Sequence, residues 1–299
     1  MYDLAFGYRD YEGEVDFLLE AHGKHAKRPQ SQPRSRLNIL ELAAGPARHS
    51  LAALSQHSPS EVDSATALDR SHAMVKYGLE NADHELGAPG GRRDDFSYVS
   101  GDMRSVVDFA EGPFDTAWLL LGSMQHLLSN DDIVACLSSI HFVLKPGGTV
   151  FIELPHPREL FSMGECTRSG WAVPLVENSP DGDGEEMEYG ELNIVWGDED
   201  DAFDPVLQIR HFTVRFKLAV NDVEALPRGR DASPMFAHMS NDGKYELKEV
   251  VPMRIYTLQE IDALARCTGF DLVATYGALA EVCIEDEEAF RMVCVLRKD

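Results

Sequence analysis

The chain has 299 residues, 44% hydrophobic and 26% charged, which is enough apolar material for a large core and excludes wholesale disorder. Its 51 acidic residues against 27 basic ones give a formal net charge of −24, so nucleic acid and anionic membrane surfaces are not expected partners. No apolar run reaches membrane-spanning length, and the N-terminus lacks the basic-then-apolar order of a secretory signal. Cys136, Cys166, Cys267, Cys283 and Cys294 are dispersed with no CxxC pair, and read as reduced, mostly buried thiols of a cytoplasmic protein.

In chain order, residues 15–21 belong to an opening amphipathic helix, followed by a polar, Pro-containing connector. Residues 38–42 form a short apolar strand and 47–54 a helix. A second strand, 65–68, ends at Asp69, and Ser71 caps the helix that follows. Residues 96–99 are a third strand, running into Gly101-Asp102. "FDTAWLLLG" is a fourth, and its near-continuous apolar run predicts burial on both faces. A helix then runs to Pro146 and Gly147, and "TVFIELP" is a fifth strand. Strands alternating with helices predict an α/β fold with a parallel, doubly wound sheet. Between 177 and 256 the pattern changes to acidic, Gly-rich loops around segments of period-two alternation, which predicts an antiparallel β insertion. Thr257 to Glu260 is a capping-box sequence opening a helix, and "FDLVATY" and "FRMVCVL" complete seven core strands. The expected parts are therefore 1–36 (a helical cap), 37–176 (a ligand-binding core), 177–256 (the insertion) and 257–299 (the end of the core).

Ligands of doubly wound sheets bind beyond the carboxyl ends of the strands. The first such end reads Glu41-Leu42-Ala43-Ala44-Gly45, a tight turn whose small residues let a ligand approach the backbone. The second is Asp69, a carboxylate suited to accept from both hydroxyls of a ribose, with Arg70 beside it. The third, Asp102-Met103, suits an adenine amino group and ring, and the fourth runs from Leu121 into a loop holding His126. A dinucleotide fingerprint needs GxGxxG, and here Ala43, Gly45 and Arg48 occupy those positions, so a ligand without phosphates fits better.

The ordered set "ILELAAGPARHS", "ALDRSHAMV", "GDM", "FDTAWLLLGSMQHL" and "LKPGGTVFIELPHP" resembles the class I S-adenosylmethionine-dependent methyltransferases. The first motif departs from the usual ELxCGxGR at Ala44, Pro46 and Ala47, with alanine standing where a third glycine is typical. The "YDLAFGYRDY" start, the His after the fourth strand and the β-rich insertion together look like small-molecule N-methyltransferases of the aminosugar and glycine kind. The resemblance implies a Rossmann-like methyltransferase sheet and S-adenosylmethionine held by Tyr8, Glu41, Ala43, Gly45, Asp69, Arg70, Asp102, Met103 and Leu121. It implies a small-molecule acceptor near Tyr11 and His126, the latter taking or sharing the amine proton. Rival readings are a non-catalytic S-adenosylmethionine-binding subunit, transfer to oxygen, or transfer to a basic peptide. His156, Arg158, Arg210 and Arg254 are weaker pocket candidates, Trp171 and Trp196 read as packing anchors, and His22 and His25 lack a third metal ligand.

Overall fold

The computed structural model describes residues 5–27, 36–160, 169–178, 186–221 and 242–299; Cys166 and most of the acidic stretch 180–186 lie outside them. Helix α1 (Tyr11–His25) precedes β1 (Leu37–Leu42), α2 (Arg48–Gln56), β2 (Val62–Asp69), α3 (His72–Leu86) and β3 (Phe96–Ser100). Then come β4 (Phe114–Leu119), α4 (Asn130–Val143), β5 (Leu144–Pro155), β6 (Ser169–Asn178), β7 (Glu186–Trp196), β8 (Phe203–Asp204) and β9 (Ile209–Val220). The last elements are β10 (Lys244–Arg254), α5 (Leu258–Cys267), β11 (Phe270–Tyr276) and β12 (Arg291–Lys298). Two compact units result: one of Asp10–Arg158 with Arg254–Asp299, the other of Met1–Arg9 with Glu159–Met253. Helix α1 packs within the larger unit, and β6 pairs with β7.

The larger unit is a seven-stranded sheet in the order β11-β12-β5-β4-β1-β2-β3. β1 through β5 are parallel, as alternation with helices demands. β11 and β12 are joined by a loop instead of a crossover helix, so they pair antiparallel and β12 enters the sheet against the direction of β5. Every residue of β4 is buried. One face of the sheet packs on Val15, Leu18, Leu51, Leu54 and Leu86 of α1 to α3, the other on Ile133, Leu137, Ile140, Ile261 and Leu264 of α4 and α5. The chain leaves β1 toward β2 and β3, then returns to β4 on β1's other side, which opens a crevice beyond the ends of β1 and β4.

The smaller unit is an antiparallel sheet in the order β10-β9-β7-β6, with β8 beside β9. Its apolar face gathers Leu175, Leu192, Ile194, Leu218 and Val220. Trp171 anchors this unit, donating from Nε1 to the Ala5 carbonyl at 2.8 Å and packing against Phe6 and Tyr8. Among the described residues Cys136 and Cys294 are buried, Cys267 and Cys283 exposed, and all four are free thiols.

Candidate active site

The loop leaving β1 turns by repeated use of left-handed backbone: Ala43 has φ 50°, Gly45 φ 55° and Ala47 φ 59°. Alanine in this region is strained where glycine is not, so the two alanines occupy positions of glycine character, as the motif comparison implied. A side chain built at Gly45 would meet no atom within 4 Å, so the loop leaves room on that side for a ligand to approach its backbone.

The side chains of Asp69, Tyr98 and Glu41 hold the loop. Asp69 Oδ2 accepts from the Gly45 N–H at 2.9 Å while Oδ1 accepts from Ser71 N–H at 2.7 Å, tying β1's loop to the end of β2. Tyr98 of β3 donates from its buried hydroxyl to the Gly45 carbonyl, and burial pushes that phenol far above its usual range. Gly78 of α3 permits this, since a Cβ there would lie 2.4 Å from Tyr98 Cε1. Glu41 is the third tie. Ala47 supplies no side-chain cap to α2, and Glu41 Oε2 takes over, accepting from the N–H of Ser50 at 2.9 Å and from its hydroxyl. A buried carboxylate is favoured at a helix N-terminus. Its other oxygen is 3.5 Å from Nδ1 of His49, whose Nε2 lies 2.8 Å from Glu14 Oε2 on α1. Glu41 is thus 3% exposed and committed to internal partners, a capping role that sequence reading did not foresee.

At the third strand end, Asp102 caps a short 3-10 helix (Met103–Asp108) and pairs with Arg104, which also reaches Asp132 Oδ1 at 2.7 Å. The Arg104 guanidinium holds the Asp102 carboxyl below the usual carboxylate range. Met103 is half-buried against the core.

Beyond β4 the chain kinks at Leu121 (φ 56°) and Gly122 (φ 72°). A bulky residue at positive φ is uncommon and persists only where neighbours enforce it. Here Glu153 of β5, 1% exposed, accepts from Leu121 N–H at 2.8 Å through its side chain and from Gly122 N–H at 3.0 Å through its carbonyl. The 3-10 turn that follows (Ser123–His126) is clamped on both flanks: Gln125 Nε2 donates to the Arg254 carbonyl at 3.1 Å, and Tyr256 Oη to the Leu127 carbonyl at 2.6 Å. His126 is left as the exposed residue of this frame. Protein packed around part of its ring, and then the Arg70 charge, lower its pKa, with Asp69 opposing. The charges of Arg70 and Asp69 therefore both act on His126.

Tyr11 opens α1 and meets the His49 ring edge-on at 5.0 Å, while Tyr8 belongs to the smaller unit, beside Trp171. His156 and Arg158 brace the turn at 284–287, bonding to the carbonyls of Ile284, Asp286 and Glu287. His22 bonds Thr149 and His25 bonds Tyr276. The residues missed in the sequence were His49, Tyr98, Gly78 and Glu153. An acid inside the apolar run of β5 and a glycine inside α3 were the available signals.

Residues 39–148 match the methyltransferase domain family. No curated protein matches the sequence. Among solved structures the chain is similar to a S-adenosylmethionine-dependent methyltransferase from Clostridium acetobutylicum, at 13% identity over 99% of this chain and 95% of that one, with TM-score 0.65. It is similar to CalS10, an amino pentose methyltransferase of calicheamicin biosynthesis from Micromonospora echinaspora, at 16% identity over 100% and 96% with TM-score 0.66. A third is the sugar N-methyltransferase KedS8 from Streptoalloteichus, at 16% identity over 100% and 93% with TM-score 0.63. Residues 39–148 thus match a methyltransferase domain, and the chain shares the fold of the S-adenosylmethionine-dependent methyltransferases.

Proposed function

We propose that the chain transfers the methyl group of S-adenosylmethionine to an amine nitrogen of a small-molecule acceptor. The observation that carries this reading is the left-handed loop at residues 43–47, open in front of Gly45 and tied to Asp69, inside a methyltransferase domain. The backbone of Ala43 and Gly45, the half-exposed Asp69 with Arg70, and Asp102-Met103 would hold the adenosine portion. Leu121 would offer its backbone to the amino-acid tail, and Glu41 would serve by holding the loop in shape. Tyr11, beside His49 on the larger unit, belongs to this reading as a contact of the acceptor. The names of CalS10 and KedS8 favour an amine on a small molecule.

When bound, S-adenosylmethionine supplies an electrophilic methyl on a sulfonium that departs as a neutral thioether. Held by Ala43, Gly45, Asp69 and Asp102, it would supply that methyl to the acceptor nitrogen's lone pair, with the C–S bonding pair left on sulfur. The amine must shed a proton, and a neutral imidazole on His126 accepts it. The lowered pKa of that ring keeps it unprotonated near neutral pH. The loops align the reactants and keep water away.

The test is S-adenosylhomocysteine release over a panel of amines, amino acids and sugar nucleotides, with calorimetry on the same preparations. Asp69→Ala should weaken S-adenosylmethionine about five- to hundredfold. His126→Ala should lower turnover about ten- to a thousandfold and leave cofactor affinity intact. No S-adenosylmethionine binding by the wild type, or full turnover by His126→Ala, would overturn the reading.

A further inference from the structure

Arg210 stands on the buried face of β9, opposite Phe203 of β8. It is 5% exposed, and its guanidinium lies over the rings of Phe203 at 5.2 Å and Phe212 at 5.9 Å. Among the described residues, the buried Nε and Nη1 have no hydrogen-bond acceptor and no carboxylate pairs with the charge. Three of the acids nearby in sequence serve other groups. Asp198 pairs with Arg215, Asp201 accepts from the N–H groups of Asp198 and Thr213, and Asp204 accepts from those of Val206 and Leu207.

This arrangement is out of keeping with the chain's composition. Acids outnumber bases 51 to 27, so a buried guanidinium with no carboxylate partner among the described residues is not forced by scarcity of acids. An unpaired buried charge is strongly unfavourable. Aromatic rings satisfy only the faces of a guanidinium; its N–H donors point outward in the plane and still need acceptors. Water could take a donor but would not neutralise the charge. An oxyanion does both, because the planar donor set matches carboxylate and phosphate geometry.

We propose that Arg210 anchors an oxyanion-binding site on the smaller unit, with Phe203 and Phe212 as its walls, for a ligand that carries a phosphoryl or a carboxylate group. The site does not depend on the methyl-transfer reading, and its test needs no turnover.

The test is thermal unfolding of the full chain with inorganic pyrophosphate in one arm and succinate in the other, each against sodium chloride at equal ionic strength. In the wild type, one anion class raises Tm by on the order of 5 °C at saturating concentration, and that arm identifies the group recognised. Arg210→Leu abolishes the response and, in anion-free buffer, melts above the wild type because an unpaired charge has been removed. Arg210→Lys keeps the charge but not the planar donors, and responds less than the wild type. Arg210→Leu responding like the wild type would mean a general salt effect and would overturn the proposal. So would a wild type indifferent to both anions, or an Arg210→Leu variant that melts lower in anion-free buffer.

Discussion

His49 joins three elements through one buried ring, and its charge makes that junction depend on pH. The imidazole is 1% exposed, with Glu14 Oε2 at 2.8 Å on one nitrogen and Glu41 Oε1 at 3.5 Å on the other. Burial alone would lower its pKa, but the hydrogen bonds to Glu14 and Glu41 outweigh it and raise the value from 6.5 to about 9. The other ionisable groups around the junction are Tyr11, whose ring meets the imidazole, and Tyr98, whose hydroxyl responds to Glu41. A gap of about 2.5 pH units between unfolded and folded states corresponds to about 3 kcal/mol of stability. Because the folded pKa is the higher one, this stabilisation is complete below pH 6.5 and is lost as pH rises through about 9. The perturbation is His49→Gln, which keeps a donor but carries no charge. Urea unfolding of both proteins from about pH 6 to about pH 10 measures the difference, which should be largest at the acid end and shrink by about 3 kcal/mol. A wild-type advantage that stays constant across this range would refute the charged-bridge account of the α1–β1–α2 junction.

Gly78→Ala places a Cβ 2.4 Å from the Tyr98 ring, which cannot retreat without losing its bond to Gly45, so the urea midpoint should fall by an amount equal to about 1–3 kcal/mol. A double variant with Tyr98→Phe should show a smaller penalty for the same alanine, since the ring is then free to move; additive effects would disprove the coupling. Ala43→Gly relieves a φ of 50° and should raise Tm, by about 1 kcal/mol of stability at most, and a lower Tm would show that the alanine is not strained. Gly45→Ala creates strain of about 1 kcal/mol at φ 55° and also fills the open side of the loop. Calorimetry should therefore find S-adenosylmethionine affinity reduced by more than the loss of stability accounts for, and unchanged affinity would remove Gly45 from the proposed site.

What the sequence determined by itself is the set of features carried by neighbouring residues. The apolar run of β4 signalled a strand buried on both faces, and every residue of it is buried. Ser71 and the Thr257–Glu260 capping box marked helix starts that the structure contains, because a cap bonds to a backbone group only three residues away. Small residues after β1 marked a turn that departs from ordinary backbone, and it does so at Ala43, Gly45 and Ala47. Tertiary structure alone decided which distant groups meet. Glu41 caps α2, Glu14 reaches His49, Arg104 reaches Asp132, and Tyr256 and Gln125 frame His126, each through contacts that no local pattern encodes. The same limit explains the antiparallel β11–β12 edge and the membership of β6 in the second sheet. Alternation and propensity report whether a segment is a strand, but its neighbour and direction depend on how the connection folds back, and that is set by packing across the whole sheet.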